Sequence, residues 1–134
     1  MLNNNKLSFF NEGTFLNLKN LLSLDLGDNL FNYLGNEFFK GLENLHTLNL
    51  KQNQIKKIEK DSFSPLKNLN RNLDLDFQNL NHIIPYTFIN QNKLEDIYLS
   101  HNSLTILYNF TFNGLNEIRI IDIGKNKITK IQMA

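Results

Sequence analysis

The sequence predicts an α/β solenoid, in which short parallel strands form the concave face of an arc and irregular or 3-10 segments form its convex face. The first observation is the block LHTLNLKQNQIKKI at residues 45–58. Its apolar positions follow neither the three- and four-residue steps of a helix nor the alternation of a long strand. The second observation is that the block recurs at residues 21–34, 94–107 and 118–131. Self-similarity at a fixed period predicts stacked repeats that share one core.

Phenylalanine also recurs at a fixed offset between these blocks. One lies ten residues after the asparagine position of each block, at Phe15, Phe39, Phe63, Phe88 and Phe112. Together with the pattern LxxLxLxxNxL, these residues resemble the leucine-rich repeat family. The period of 24 residues resembles the typical subclass of that family, found in Toll-like receptors and other extracellular leucine-rich repeat ectodomains. The resemblance covers essentially all of the chain, and it implies a leucine-rich repeat arc that binds partners on its concave face.

The chain divides into five to six repeats, which we predict to form a single leucine-rich repeat domain over residues 1–134. The first repeat is incomplete, and the sixth stops at Ala134 before its phenylalanine. The fourth repeat is irregular, because its strand comes one residue late and an insertion falls between Leu69 and Gln78. Asn70 then takes the position of the first leucine. The family's cysteine-rich caps are missing at both ends, so we expect a fragment of a longer protein.

Each block predicts one short strand, because its Leu-x-Leu spacing sends two side chains to one face and the residue between them to the other. The predicted strands are Leu24 to Leu26, Leu48 to Leu50, Leu73 to Leu75, Ile97 to Leu99 and Ile121 to Ile123. Their leucines and isoleucines should be buried. The residues between them should be exposed on the opposite face, namely Asp25, Asn49, Asp74, Tyr98 and Asp122.

An asparagine recurs just after each predicted strand, where the chain turns inward. Its amide can both donate and accept hydrogen bonds, so it can satisfy buried backbone groups of neighbouring turns. We therefore predict a structural asparagine ladder, formed by Asn5, Asn29, Asn53, Asn102 and Asn126. Gln78 replaces the asparagine in the fourth repeat. Because it has an extra methylene, we expect it to reach the same partners only with strain.

The outward-facing residues of the predicted strands form columns along the concave face. Phe77, Tyr98 and His101 come from the adjacent fourth and fifth repeats, and we expect them to cluster within a ring of aspartates. Exposed aromatic side chains with a polar rim are typical of a protein-binding hot spot. The predicted partner-binding residues are Asp74, Asp76, Phe77, Asp96, Tyr98, His101 and Asp122. The alternative is that these are ordinary solvated strand residues, since single exposed aromatics are common on protein surfaces.

Composition and charge exclude several classes of partner. The 14 basic and 13 acidic residues are intermixed and give a net charge of +1, which argues against nucleic acid and against an anionic membrane. No apolar run approaches the ~18 residues that a membrane span requires, so no membrane contact is expected from this segment. The polar start MLNNNK does not resemble a signal peptide. The chain has no cysteine, which excludes disulfides and thiolate metal sites.

The sequence predicts no catalytic, cofactor or metal site. His46, His82 and His101 lie in different repeats and at different positions within them, so they do not predict ligands that converge on one ion. No Ser, Cys or Thr has a His and a carboxylate in evident support, and no glycine-rich phosphate loop occurs. The one Asn-x-Ser/Thr sequence, at residues 109–111, makes Asn109 a candidate glycosylation site if the protein is secreted.

These observations predict a non-catalytic protein–protein interaction module. It would be a fragment of a receptor or extracellular leucine-rich repeat protein, and it would bind a protein ligand or co-receptor on its concave face. The location that the resemblance implies is extracellular or cell-surface. The alternative is a cytoplasmic leucine-rich repeat scaffold or regulatory subunit, which the lack of cysteine and of a signal peptide fits. An enzymatic role would need a separate catalytic domain outside these residues.

Overall fold

Five short strands lie side by side in one parallel sheet that runs along one side of the stacked repeats. The protein is described here by a computed structural model, which covers residues 1–133; the predicted end of the sixth repeat at Ala134 lies outside the described residues. The strands of this sheet, in spatial order, are β1 (Ser23–Asp25), β3 (Thr47–Asn49), β5 (Asn72–Asp74), β6 (Asp96–Tyr98) and β8 (Ile120–Asp122). Two smaller parallel ladders pair β2 (Tyr33–Leu34) with β4 (Lys57–Ile58), and β7 (Ile106–Tyr108) with β9 (Lys130–Gln132).

The sheet confirms the predicted parallel pairing, with each strand beginning one residue earlier than expected. Its central residues Leu24, Leu48, Leu73, Ile97 and Ile121 lie in register across the five strands. The predicted core residues of the first four strands are buried. Ile121, however, is 36% exposed and Ile123 is only partly buried, so the prediction is wrong for these two. No strand within residues 1–133 pairs with the outer edge of β8, and these side chains are therefore covered from one side only.

The side of each repeat opposite the sheet consists of consecutive turns. Residues 1–133 form no helix, so the α/β designation and the predicted 3-10 segments are not confirmed. The same residues accordingly contain no helix that could cross a membrane. The turns are held by separate backbone bonds between residues three apart, such as Leu42 N to Phe39 O and Leu45 N to Leu42 O. A 3-10 helix needs such bonds at successive residues, and here they are made at every second or third residue, with donors at Phe38, Lys40, Leu42 and Leu45.

A column of stacked phenylalanines forms the core on the turn side. The rings of Phe39, Phe63, Phe88 and Phe112 lie nearly parallel, within 17°, and their centroids are 6.0, 5.8 and 6.5 Å apart. Strands of a sheet are only about 4.8 Å apart. Because each repeat is wider at its phenylalanine than at its strand, the stack curves with the sheet on the inner side. We call the outward surface of the five-stranded sheet the concave face.

The extra residue of the fourth repeat lies between the first leucine and the strand. Leu69 is buried, and its backbone N makes the same turn hydrogen bond as the first leucine of the regular repeats. Leu69 therefore takes the position that the sequence assigned to Asn70, which corrects that prediction. In the next repeat, the N atoms of Glu95 and Asp96 donate to two separate carbonyls, those of Asn70 and Arg71. The insertion is absorbed by this widened pairing just ahead of β5.

The amide of each buried ladder residue joins two neighbouring repeats. Asn53 Oδ1 accepts a hydrogen bond from Phe31 N at 3.0 Å, and its Nδ2 donates to Leu26 O and Leu50 O at 3.1 and 2.8 Å. Equivalent bonds are made by Asn29, Asn102 and Asn126. Asn5 is exposed, and its amide donates only to carbonyls of its own repeat.

Gln78 makes the same connection with its longer side chain. Its Oε1 accepts from Ile55 N at 3.2 Å, and its Nε2 donates to Leu50 O at 2.6 Å. The side chain is buried and reaches the donor and the acceptor of the neighbouring repeat, while within its own repeat it donates to Asp76 O. The expected strain stays a prediction. The fourth repeat is connected to the third in the same way as the regular repeats are to each other.

Removing one amide of the ladder should destabilise the solenoid. In Asn53→Ala, the backbone groups of Phe31, Leu26 and Leu50 lose a buried partner, so we expect the free energy of unfolding to fall by about 1–3 kcal/mol. Urea denaturation measures this loss. The adjacent exposed Gln54→Ala is the matched control and should change stability by less than about 0.5 kcal/mol. An Asn53→Ala variant as stable as this control would contradict the role of the amide.

Candidate functional site

The central outward column of the concave face is less exposed than the sequence predicts. Asp25, Asn49, Asp74 and Tyr98 are half-buried, and only Asp122 is fully exposed. In the sheet, each of the middle residues lies in register between two neighbours. Neighbouring strands are only about 4.8 Å apart, so the side chains of one column cover each other. The first four positions are therefore only partly exposed, although they lie on the predicted face, opposite the buried leucines.

Most polar residues of this column hold the turn that follows their strand. Asp25, Asn49, Asp74 and Asp122 each accept, through Oδ1, a hydrogen bond at 2.9 Å from the backbone N two residues later. This local bond is the Asx turn, which aspartate and asparagine favour. The carboxylates of Asp74 and Asp122, predicted as partner-binding, thus have a structural task as well.

Tyr98 breaks this series, because a tyrosine cannot form an Asx turn. The backbone N of Ser100 would otherwise lose the acceptor that the regular repeats provide. Instead, it donates to Asp76 Oδ1 of the preceding repeat at 2.7 Å. Asp76 therefore compensates for Tyr98 from one strand away. The turn thus forms although position 98 has tyrosine where the other repeats have aspartate or asparagine. This tyrosine puts an aromatic ring in the middle of the sheet.

Phe77 and His101 stack on each other at the edge of the concave face where the chain leaves the sheet. Their ring centroids are 4.1 Å apart and the rings are nearly parallel, at 8°. Lys51 Nζ lies 5.4 Å from the centroid of Phe77, within reach of a cation–π interaction. Phe77 is 41% exposed and His101 is also exposed. The three side chains form one apolar and cationic surface, which we call the aromatic edge.

The backbone at this edge is left-handed in every repeat. The residue just before each ladder position has φ between 51° and 56°, at Asn4, Asp28, Gln52, Phe77, His101 and Lys125. Asparagine and aspartate tolerate this region, whereas a bulky residue such as phenylalanine is uncommon there. Phe77 therefore occupies a position that the fold fills more easily with a polar residue.

Tyr98 lies between carboxylates in the middle of the sheet. In register, it is flanked by Asp74 on β5 and Asp122 on β8, and Asp96 lies on its own strand. Burial raises the pKa of Tyr98, and the charges of Asp96, Asp74 and Asp122 raise it further. A hydrogen bond to the Asp96 side chain also favours the protonated hydroxyl and so raises this pKa. We call this group the tyrosine–aspartate strip.

The structure thus brings the predicted partner-binding residues together in two groups rather than one. Phe77 and His101 are in contact at the aromatic edge. Within residues 1–133, no ring contact joins Tyr98 to either of them. Lys51 was not among the predicted binding residues, although it precedes Asp76 by one repeat in the same column and hence borders Phe77. The hydrogen bond that Asp76 accepts from Ser100 N was not predictable from the repeat pattern, because it depends on which strand lies alongside.

On the concave face, the fold disfavours the ionised form of the Asp74 carboxyl group. Burial raises its pKa, and the charges of Asp76 and Asp25 add to the effect. The hydrogen bond from the backbone of Asp76 and the charge of Lys51 act in the opposite direction. Ionisation of Asp74 therefore lowers the stability of the folded chain.

The other candidate residues lie apart from these two groups. His46 is half-buried and His82 is exposed, with its Nδ1 2.6 Å from Asn81 Oδ1. In the described part of the chain, no three His, Asp or Glu side chains converge as metal ligands would. Asn109 is exposed immediately after β7. The hydroxyl of Thr111 in the same sequon is buried and accepts a hydrogen bond from Tyr108 N, so this threonine also has a structural role.

Comparison with known proteins places this geometry in context. A family model described as leucine rich repeat matches residues 23–71 and again residues 71–128. No curated protein sequence matches the chain significantly. The chain is similar in structure to Toll in the Drosophila Toll–Spatzle complex, with a TM-score of 0.87 and 23% identity over 97% of this chain and 17% of that chain. It is also similar to TLR13 in the TLR13–ssRNA13 complex, with a TM-score of 0.65 and 28% identity over 96% and 23% of the two chains.

Replacing the disfavoured carboxylate with an amide should stabilise the protein. Asn49 forms the same turn bond from the same column, so Asp74→Asn should keep the bond to Asp76 N and lose the buried charge. We expect the free energy of unfolding at pH 7 to rise by about 0.5 kcal/mol, the size of a cross-strand side-chain effect. Because folding raises the pKa of Asp74, its ionised carboxylate destabilises the protein at pH values above the folded-state pKa. The gain should therefore shrink as the pH falls toward the ordinary value of 3.8.

Urea denaturation of both proteins at pH 7 and at pH 3.5 measures this difference. The exposed Asp122→Asn, which alters the same kind of turn, is the matched control and should change stability less. A gain for Asp74→Asn that is independent of pH, or a loss at pH 7, would contradict the proposed cost of the buried charge.

Proposed function

Because this chain belongs to the leucine-rich repeat family, we propose that it is a non-catalytic protein–protein interaction module that binds a protein ligand or co-receptor on its concave face. The proposal includes a single leucine-rich repeat domain that is part of a receptor or other extracellular leucine-rich repeat protein. The binding residues are those of the aromatic edge and the tyrosine–aspartate strip. The chain spans 17% and 23% of the length of the two structural neighbours, so the activity of a whole receptor is not carried over to it.

The observation that carries this proposal is the exposed Phe77–His101 stack. Neither ring belongs to the hydrophobic core, and Phe77 takes a left-handed position that favours smaller polar residues. The stack therefore does little for folding and leaves a large apolar surface in water. A protein partner would desolvate it, and aromatic anchors held rigidly by a scaffold lose little entropy on binding.

The charges of the concave face favour a protein with basic residues over an anionic ligand. Carboxylates of Asp74, Asp76, Asp96 and Asp122 line the sheet, and Lys51 is the cation of the aromatic edge. Such a surface would steer a basic partner and mainly raise its association rate. A nucleic acid, the ligand in the TLR13–ssRNA13 complex, would place phosphates against these carboxylates. Phosphate contacts supply most of the affinity for nucleic acids, so this face disfavours them.

An extracellular or cell-surface location is part of the proposal. The resemblance to the typical subclass and the similarity to the Toll and TLR13 structures support it. The alternative is a cytoplasmic scaffold, which the absence of cysteine favours. Expression of the full-length protein in animal cells separates the two. A glycan on Asn109 or surface labelling would support the first location, and an unglycosylated protein in the cytosolic fraction would support the second.

The binding energy should be concentrated in the aromatic residues of the two groups. Tyr98→Ala or Phe77→Ala should weaken binding of the protein partner by about 1–4 kcal/mol, as for hot-spot residues. Phe77→Asn is a second test at the same position, because asparagine accepts the left-handed backbone and removes only the ring. Calorimetric titration with a partner identified by crosslinking to the full-length protein gives the affinities.

Lys57→Ala is the matched control for these variants. Lys57 lies on β4, outside the five-stranded sheet, and its exposed ion pair with Glu59 contributes little stability. Binding should be unchanged in this variant. Equal losses in Lys57→Ala and the aromatic variants, or no loss in any of them, would show that the recognised surface lies elsewhere.

A further inference from the structure

A cleft of about 450 Å³ lies between the first and second repeats, on the flank that carries the β2–β4 ladder. None of its lining residues belongs to the five-stranded sheet, so it is separate from the concave face. Its volume falls in the range of about 300–1,000 Å³ that is usual for ligand pockets.

Aromatic rings form the floor and the walls of this cleft. Phe10 and Phe38 make the floor, with centroids 5.6 Å apart, and both pack against the buried ring of Phe31 at 5.3 and 5.4 Å. Phe9 and Tyr33 form the walls and are 69% and 47% exposed. The floor is therefore held rigidly by the core, while the walls offer apolar surface to a ligand.

One of the two floor residues, Phe38, is a departure from the repeat rather than a requirement of the fold. Phe38 stands immediately before the stacked Phe39, at the position where the later repeats have the buried hydroxyl residues Ser62, Thr87 and Thr111. There, a hydroxyl hydrogen bonds to backbone groups, as Ser62 Oγ does to Leu34 O at 2.8 Å. A small hydroxyl residue is thus sufficient to build this turn. A phenylalanine at position 38 replaces that hydroxyl with an apolar surface.

The charged residues of the cleft favour a cationic ligand. Glu12 and Glu37 are the only ionisable lining residues apart from Tyr33 within the described chain. Lys40 pairs with Glu37 at 3.0 Å in an exposed ion pair, which leaves one carboxylate in excess at this rim. The other polar lining residues are the hydroxyl and amides of Ser8, Asn11, Asn32 and Asn36. Amides and hydroxyls can bind the polar backbone of a peptide in either direction.

We propose that this cleft binds a peptide segment of a partner protein in which an aromatic side chain stands next to arginine or lysine. The aromatic side chain enters between Phe9 and Tyr33 and stacks on the floor, while the basic side chain lies against Glu12 and Glu37. Aromatic pairs and cation–carboxylate pairs that exclude water both strengthen binding. This site adds a second recognition surface to the module and does not depend on the concave face.

The test is a titration of the isotopically labelled full chain with the peptide acetyl-Arg-Phe-Arg-amide, followed by the backbone amide signals in NMR. We expect saturable shifts at Phe9, Gly35 and Phe38. Phe9→Ala removes a ring that is already exposed, and Glu12→Gln keeps the side-chain shape, so both variants should fold. Each should raise the dissociation constant roughly fivefold or more. Higher salt should weaken binding by the parent chain.

Phe110→Ala is the matched control, since Phe110 is an exposed phenylalanine on another repeat, stacked on Tyr86. It should bind the peptide as the parent chain does. The proposal is overturned if acetyl-Glu-Phe-Glu-amide or acetyl-Arg-Ala-Arg-amide binds equally well, or if the shifts do not saturate. Shifts at the concave face in place of the cleft would overturn it too. So would sedimentation showing that the cleft is occupied by a second copy of the chain.

Discussion

The bond between a buried side-chain amide and the backbone of the neighbouring repeat is the interaction on which this solenoid depends. Where the chain turns inward after each strand, its N–H and C=O groups are buried and have no sheet partner. An unpaired buried group costs about 1–3 kcal/mol. Asn53 pairs with backbone groups of its own repeat and of the preceding one. It therefore closes the turn of its own repeat and fixes the distance between the two repeats. Gln78 does the same with a longer side chain.

The same turns limit which residues of the concave face are available for recognition. Aspartate and asparagine at the strand ends accept backbone hydrogen bonds, and the residues that follow adopt left-handed conformations. Polar side chains are therefore expected on this face even in a repeat that binds no ligand. The residues that point to recognition are those that the turn does not need. Tyr98 is one, because Asp76 has to supply the acceptor that it lacks. Phe77 is the other, because its backbone position favours asparagine or aspartate.

A departure from the repeat also marks the cleft on the flank that carries the β2–β4 ladder. A repeat protein is a series of nearly identical environments, so each position shows what the fold alone requires. Position 38 requires only a small hydroxyl residue, as Ser62 and Thr87 demonstrate. The phenylalanine found there, which packs against Phe10 and edge-on against Phe31, is an addition to the scaffold. The concave face and the cleft each carry aromatic rings with nearby carboxylates.

The sequence by itself determined the period, the parallel strands, their register and the recurring phenylalanine positions, because each follows from side chains repeated at a fixed spacing. It also located the irregular fourth repeat. Only the tertiary structure decided where the extra residue is absorbed, since Leu69 and Asn70 compete for one buried position and only packing chooses between them. It also decided that Asp74 is half-buried, that Gln78 reaches its partners, and that Lys51 lies over Phe77. These outcomes depend on contacts between residues about 24 positions apart, whose distances are set by how tightly neighbouring repeats stack.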